Sequence, residues 1–208
     1  MTVPIRVKRK CSVCGFVSIQ TELASTSRFG SPDLDTRPPE MMRSSMGWWI
    51  QECPRCGFVS SDISSEEDIV PKWLLKHPKY VTCIGLDIHS SLGRNFIKAL
   101  FIHVYTKNWN SAFADALHAA WACDDDDKDV KNAVICRKLA IECMERFQLN
   151  DSLKTVKADL LRRAGLFSQV ISEYEHFASN DKKLERIISF QVEKAKLKDA
   201  GCYTLDDI

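Results

Sequence analysis

The chain has 208 residues, 45% hydrophobic and 27% charged, with 29 lysines and arginines against 28 acids and a net charge of +1. That profile belongs to a folded globular protein of one large or two small domains. The charge balance excludes a histone-like, generally basic nucleic-acid binder, and the aliphatic content excludes a disordered chain.

The first ten residues, Met1 to Lys10, carry positive charge but lead into no apolar stretch, so they do not read as a secretory signal. No run approaches the ~18 apolar residues that cross a bilayer. The expectation is a soluble, cytoplasmic protein with no membrane partner. Its nine cysteines are an odd number, and in a reducing compartment that favours metal ligation plus buried free thiols over disulfides.

Residues 1–62 differ from the remainder. They hold five of the seven prolines, four of the eight glycines and both CxxC pairs. Short β-type runs, Ile5–Val7, Phe16–Ile19 and Trp48–Gln51, flank the pairs, with turn residues between. From Ser64 the pattern turns helical. Ser64-Ser-Glu-Glu67 is a capping-box signature, followed by Ile69, Trp73 and Leu74 at helical spacing.

Five further stretches and a capped last one follow. Phe96, Leu100 and Val104 share a face over 91–106, and Ala112, Ala116, Ala119 and Ala120 line a small-residue face over 109–123. A long helix is expected over 127–148, then one carrying Leu153, Val156, Leu160 and Leu161 that Gly165 ends. Val170, Ile171, Tyr174 and Phe177 mark the next, and Asp181 can cap a last helix with Leu184, Ile187, Ile188 and Val192. Short connections make neighbouring helices antiparallel. The expected fold is mainly α: a zinc-ribbon-like β segment over 1–62, then an antiparallel helical domain over 63–208.

The strongest chemical signal is Cys11-Ser-Val-Cys14-Gly and Cys53-Pro-Arg-Cys56-Gly. Two intervening residues let one turn aim both sulfurs at one ion. Glycine after the second cysteine permits the positive φ that closes the turn. Two such knuckles supply the tetrahedral four-sulfur shell that Zn²⁺ prefers, bound as thiolates. Iron uses the same knuckles, so residue type leaves the metal open. The 38 residues between Cys14 and Cys53 are long for a minimal ribbon and must carry structure of their own.

Within that insert, Asp33 and Asp35 are two apart and would face the same way in an extended chain. Arg37 and Arg43 can pair with them or with an anionic ligand, so the loop is read as a candidate binding loop beside the metal site. The alternative is a structural loop docked on the helices.

Gly30-Ser-Pro-Asp-Leu-Asp-Thr-Arg-Pro-Pro-Glu40 with Trp49-Ile-Gln-Glu-Cys-Pro-Arg-Cys-Gly-Phe58 resembles an uncharacterised bacterial family. Its members join paired CxxC knuckles to tetratricopeptide-like helices. Leu160 to Val170, with Tyr174 and Phe177, looks like the hinge of a tetratricopeptide repeat, with Gly165 as turn glycine and Phe167 opening the second helix. Val170 and Phe177 stand where that repeat has small residues, which implies altered packing. Asn108 to Ala112 with Ala116 and Ala119 resembles another second helix. Trp109 and Phe167 are 58 residues apart, not a multiple of the roughly 34-residue repeat, so any array is irregular. The resemblance implies a fold and a metal, and no reaction.

Other motifs read as structural. Asp124–Asp127 and Lys128 lack the glycine and alternation of a calcium loop and fit a solvated helix start. The five histidines form no ligand spacing; His103 and His118 fall on packed helices. Cys136 and Cys143, seven apart, fit buried small hydrophobes. Neither a phosphate loop nor a nucleophile motif is present, so no enzyme is expected.

The first functional expectation is a non-catalytic adaptor whose helical surface binds a protein or peptide. The alternative is a nucleic-acid-binding zinc ribbon. It would use Arg6, Lys8, Arg9 and Lys10, with Trp48 and Trp49 as stacking rings.

Overall fold

The computed structural model describes every residue except Asp68. Strands β1 (Val3–Lys10) and β2 (Val17–Ser25) form an antiparallel hairpin, and β3 (Gln51–Glu52) and β4 (Val59–Ser60) form a second, much shorter one. Among the described residues seven α-helices follow: α1 (Pro78–Val81), α2 (Ser91–Thr106), α3 (Trp109–Asp124), α4 (Val130–Met144), α5 (Asp151–Arg163), α6 (Phe167–Tyr174) and α7 (Lys182–Lys196). The fold is mainly helical with a small antiparallel β element at its N-terminal end.

The caps explain the boundaries. Ser90, Asn108, Asn150 and Asp181 each accept a backbone N–H of the first turn of α2, α3, α5 and α7. At the other end of α5, Leu166 N–H bonds Leu161 O and Gly165 N–H bonds Arg162 O, with Gly165 at φ +76°. This is the Schellman closure. Lys107 takes the same left-handed position after α2, at φ +60°.

The helix expected from Ser64 is not formed. Ser64 donates its hydroxyl to Asp62 rather than capping, and among the described residues before α2 only 3-10 turns at Leu74–Lys76 and Cys83–Gly85 and the four-residue α1 follow. Pro71 and Pro78 each remove a backbone donor in this stretch and restrict the residue before them. Trp48 and Trp49 likewise end a 3-10 turn (Arg43–Trp48) instead of lying in a strand. The helix expected over 127–148 is shorter, a 3-10 turn at Asp127–Asp129 leading into α4.

Helices α2, α3 and α4 pack in sequence, α4 packs on α5, and α7 packs on both α5 and α6. The small face of α3, with Ala112, Ala116, Ala119 and Ala120 essentially inaccessible, lets its neighbours approach closely. One apolar core runs through these helices. A second gathers Phe58, Ile63, Val70, Leu74, Leu75 and Tyr80 against Ile102 of α2, with Cys11 and Cys53 at its edge. This second cluster crosses residue 62, so the knuckles rest on helical chain.

Candidate metal centre

Each CxxC pair is the turn of a hairpin. In the first, Cys11 N–H donates to Phe16 O (2.9 Å) and Gly15 N–H to Cys11 O (2.8 Å). In the second, Cys53 N–H donates to Phe58 O (2.8 Å) and Gly57 N–H to Cys53 O (2.9 Å). Gly15 and Gly57 sit at φ +74° and +72°, where a side chain would be strained. The two turns are copies: Cys11 to Ser18 and Cys53 to Ser60 both read C-x-x-C-G-F-V-S. That duplicated octapeptide is visible in the sequence and extends the motif three residues past its glycine.

The copies bring four sulfurs together. Cys11 Sγ lies 3.7 Å from Cys56 Sγ and Cys14 Sγ 3.6 Å from Cys53 Sγ. All four lie within 4.8 Å of one another. A tetrahedral ion with metal–sulfur bonds near 2.3 Å sets its sulfurs about 3.8 Å apart. The group therefore fits one four-sulfur ion without rearrangement, consistent with zinc. Among the described residues, no histidine or carboxylate joins it.

Burial pushes the Cys11 and Cys56 thiols up. At Cys14 burial also raises the thiol, but the Phe16 N–H and the neighbouring sulfurs outweigh it and bring it down to about 7. A dication held here would bind these sulfurs as thiolates, with release of their protons.

A chain of polar contacts ties the knuckles to each other and to the body. Arg9 pairs with Glu22 (2.6 Å), Gln51 Nε2 donates to Glu22 (2.8 Å), and Gln51 Oε1 accepts from Ile63 N–H. Tyr80 donates its hydroxyl to Gly57 O (2.5 Å), and Lys98 of α2 pairs with Glu52 (2.8 Å).

No family model, curated protein or solved structure matches the chain. What stands of the resemblance is the four-cysteine cluster and the mainly helical body.

The insert between the knuckles is docked on the helices, and the extended geometry expected for Asp33 and Asp35 does not hold. Asp33 N–H bonds Arg37 O and Thr36 N–H bonds Asp33 O, with Thr36 at φ +73°, so the chain doubles back. The two carboxylates consequently find different partners. Asp33 takes Arg43 (2.5 Å) and the Cys202 thiol. Asp35, wholly buried, accepts from Trp121 Nε1 (2.9 Å) and pairs with Arg163 (2.8 Å). Arg37 reaches Asp125 (2.5 Å). Arg163 also holds Asp124 (2.8 Å), which Arg137 contacts too. The acid run is divided: Asp124 closes α3 and pairs with Arg163, Asp125 meets Arg37, and Asp126, bonded to His89, caps the 3-10 turn that leads into α4, with Asp125 and Asp127 exposed.

The C-terminal tail completes the dock. Leu34 N–H bonds Tyr203 O, Leu205 N–H bonds Pro32 O, and buried Arg162 holds the carbonyls of Asp199 and Gly201. Nothing in the local sequence marks Arg162 or the tail for this role. Their partners lie more than thirty residues away.

Docked this way, the loop and helices α3, α5 and α7 enclose a cleft of about 650 Å³. Pro38, Pro39 and Met42 of the loop and Val156, Leu184 and Ile187 of the helices line it, with Trp49, His118 and Trp121. Trp49 is turned into this cleft and donates to Ser45 Oγ, so it is not an outward stacking ring. His118 packs against Trp49, Phe96 and Trp121. Burial lowers its pKa to about 4, so it is neutral at pH 7. His103, in contrast, is bonded to Asp115 (2.5 Å) between α2 and α3. Cys136 and Cys143 are buried on α4.

Proposed function

We propose that this is a zinc-ordered, non-catalytic adaptor. Its cleft, between the docked loop and helices α3, α5 and α7, receives a short segment of a partner protein. The observation that carries this is the cleft itself: about 650 Å³, walled by prolines, aromatics and aliphatics, a size and lining suited to an apolar anchor side chain and its neighbours. The loop charges support binding over catalysis. Asp33, Asp35, Arg37 and Arg43 are engaged with one another or with the helices, which leaves no carboxylate pair free to move protons.

At the cleft's edge Arg28 and Lys183 have no acidic partner among the described residues. The segment that fits is an apolar or aromatic anchor beside an acidic residue. On this reading the loop at 29–45 is a wall of the binding site, and the four cysteines hold a structural zinc that anchors both ends of the insert.

Panning a random peptide display library on the zinc-loaded protein tests it. Enriched peptides should pair an aromatic or leucine with an acid, lose binding to Leu184→Arg, and bind Lys183→Glu about tenfold more weakly. Peptides whose binding ignores Leu184→Arg, or no enrichment at all, would sink the adaptor reading while leaving the zinc site standing.

A further inference from the structure

The tail that fastens the loop divides at Thr204. Upstream it is held firmly. Arg162 holds the carbonyls of Asp199 (2.9 Å) and Gly201 (2.8 Å), Leu34 N–H bonds Tyr203 O (2.9 Å), and the Tyr203 ring meets Phe190 of α7 edge-on at 5.0 Å. Downstream, Leu205–Asp207 is a 3-10 turn that satisfies its own polar groups. Thr204 Oγ1 accepts the Asp206 N–H, and Asp207 accepts both the N–H and the hydroxyl of Thr204. Among the described residues, two hydrogen bonds tie this turn to the loop: Leu205 N–H to Pro32 O (3.2 Å) and Ser31 Oγ to Asp206. Asp206 and Asp207 are exposed, and Leu205 and Ile208 are only half-buried.

The turn lies along one stripe of α7. Lys183, Arg186, Ile187 and Phe190 fall at i, i+3, i+4 and i+7 of that helix. Leu205 lines the cleft together with Lys183 and Ile187. The same three residues, with Arg186 and Ile208, line an adjoining hollow of about 290 Å³. Asp207 and Ile208 border a further hollow with Arg186 and Phe190. The ion pairs of α7 run through Lys182, Glu185, Lys194 and Lys196, whereas Lys183 and Arg186 make none among the described residues. The segment over this stripe reads Leu205-Asp-Asp-Ile208. Apolar side chains beside acids are the chemistry inferred above for the partner.

We propose that residues 204–208 are an internal strap, which covers the continuation of the cleft along α7 and gives way to the partner segment. The inference rests on the cleft being the binding site. Release about Thr204 breaks two surface hydrogen bonds and frees two half-buried side chains, while the turn keeps its own bonds. Such a segment belongs to the low-stability end of a structure. The hold on Tyr203 keeps the released strap close by, so it competes at high effective concentration. Because Leu205 lines both the cleft and the adjoining hollow, its departure opens one onto the other and adds Arg186 to Lys183 as a second cation for an acidic segment. A strap closed about nine times in ten lowers partner affinity about tenfold.

The test is fluorescence anisotropy of a labelled, amidated hexapeptide, Tyr-Thr-Leu-Asp-Asp-Ile, titrated with zinc-loaded full-length protein. Leu205→Ser/Ile208→Ser removes both apolar anchors of the strap. That variant should bind the hexapeptide about tenfold more tightly than wild type, and adding Arg186→Glu should reverse the gain. Peptides enriched by panning should show the same gain and displace the hexapeptide. Leu205→Ser alone should move the affinity in the same direction, and zinc content and far-ultraviolet helicity equal to wild type show that each variant is folded. Hexapeptide binding that is equal or weaker in the double variant, or absent from both proteins, would overturn the strap. Library peptides that bind wild type and double variant alike would overturn it too and leave the cleft reading standing. No library peptide enriched on either protein would overturn the cleft reading and the strap with it.

Discussion

The knuckle pair and the docked insert between its halves hold irregular chain in place by opposite means. Each knuckle is a six-residue turn closed by local hydrogen bonds, and the four sulfurs converge on one point. The insert is fixed by groups far away in sequence: Asp35 to Trp121 and Arg163, Arg37 to Asp125, Leu34 to Tyr203. On the proposed reading one region would draw its stability from a bound metal, the other from charges buried against partners. A metal site is therefore vulnerable to chelation, and a buried ionic network to the loss of any single member.

The largest expected effect tests the metal half. Structural zinc is worth ~10–16 kcal/mol in small peptides at neutral pH. Cys53→Ser should abolish stoichiometric zinc by elemental analysis. Because Phe58 and Tyr80 pack with Ile102, hydrogen exchange should speed up in the knuckles and across 63–85, while far-ultraviolet helicity largely persists. Wild-type protein purified without chelator and found metal-free would break the comparison at its root.

The network half comes next. Asp35→Ala leaves Arg163 facing only Asp124 and strands the Trp121 N–H. Removing one partner of a buried pair costs ~3–5 kcal/mol, read as a lower denaturant midpoint with unchanged slope. Zinc should stay bound. Loss of zinc in this variant would show that the two regions are one cooperative unit.

His118 separates the regions by pH. Its folded pKa is depressed from 6.5 to about 4 by burial, so the unfolded chain binds the extra proton first. The stabilising contribution is present above about pH 6.5 and is lost as pH falls toward 4. The shift sets a ceiling of about 3 kcal/mol, reduced by whatever water reaches the ring. His118→Phe should flatten the wild-type fall in stability between those values. An unchanged acid profile would show that the ring is not held neutral.

The smallest effect concerns the backbone. Lys107 occupies the left-handed position that Gly165 fills after α5. Lys107→Gly should stabilise the chain by up to about 1 kcal/mol in thermal or denaturant unfolding, whereas Gly165→Ala, with open space around it, should cost about as much through strain alone.

The sequence by itself determined the features whose causes are local. The caps at Asp181 and Asn108, the stop at Gly165 and the alanine face of α3 follow from neighbours within a turn or two, so α2, α3, α5, α6 and α7 lie where periodicity places them. The four-cysteine cluster was legible for the same reason, since two-residue spacing and a following glycine define a knuckle without outside help. Local signals failed where a distant or unexpected partner outbid them. Ser64 bonded Asp62 instead of capping a helix, Trp49 turned inward to Ser45 and His118, and the aspartates at 124–126 found partners in the loop, in other helices and at His89. Only the tertiary structure decided that Asp33 and Asp35 diverge, that Arg162 clamps the tail, and that one phenylalanine of a repeated motif is core and the other surface. The physical reason is range. Turn geometry is settled by steric and hydrogen-bonding choices a few residues wide, whereas a buried charge settles wherever the folded chain brings its counter-charge.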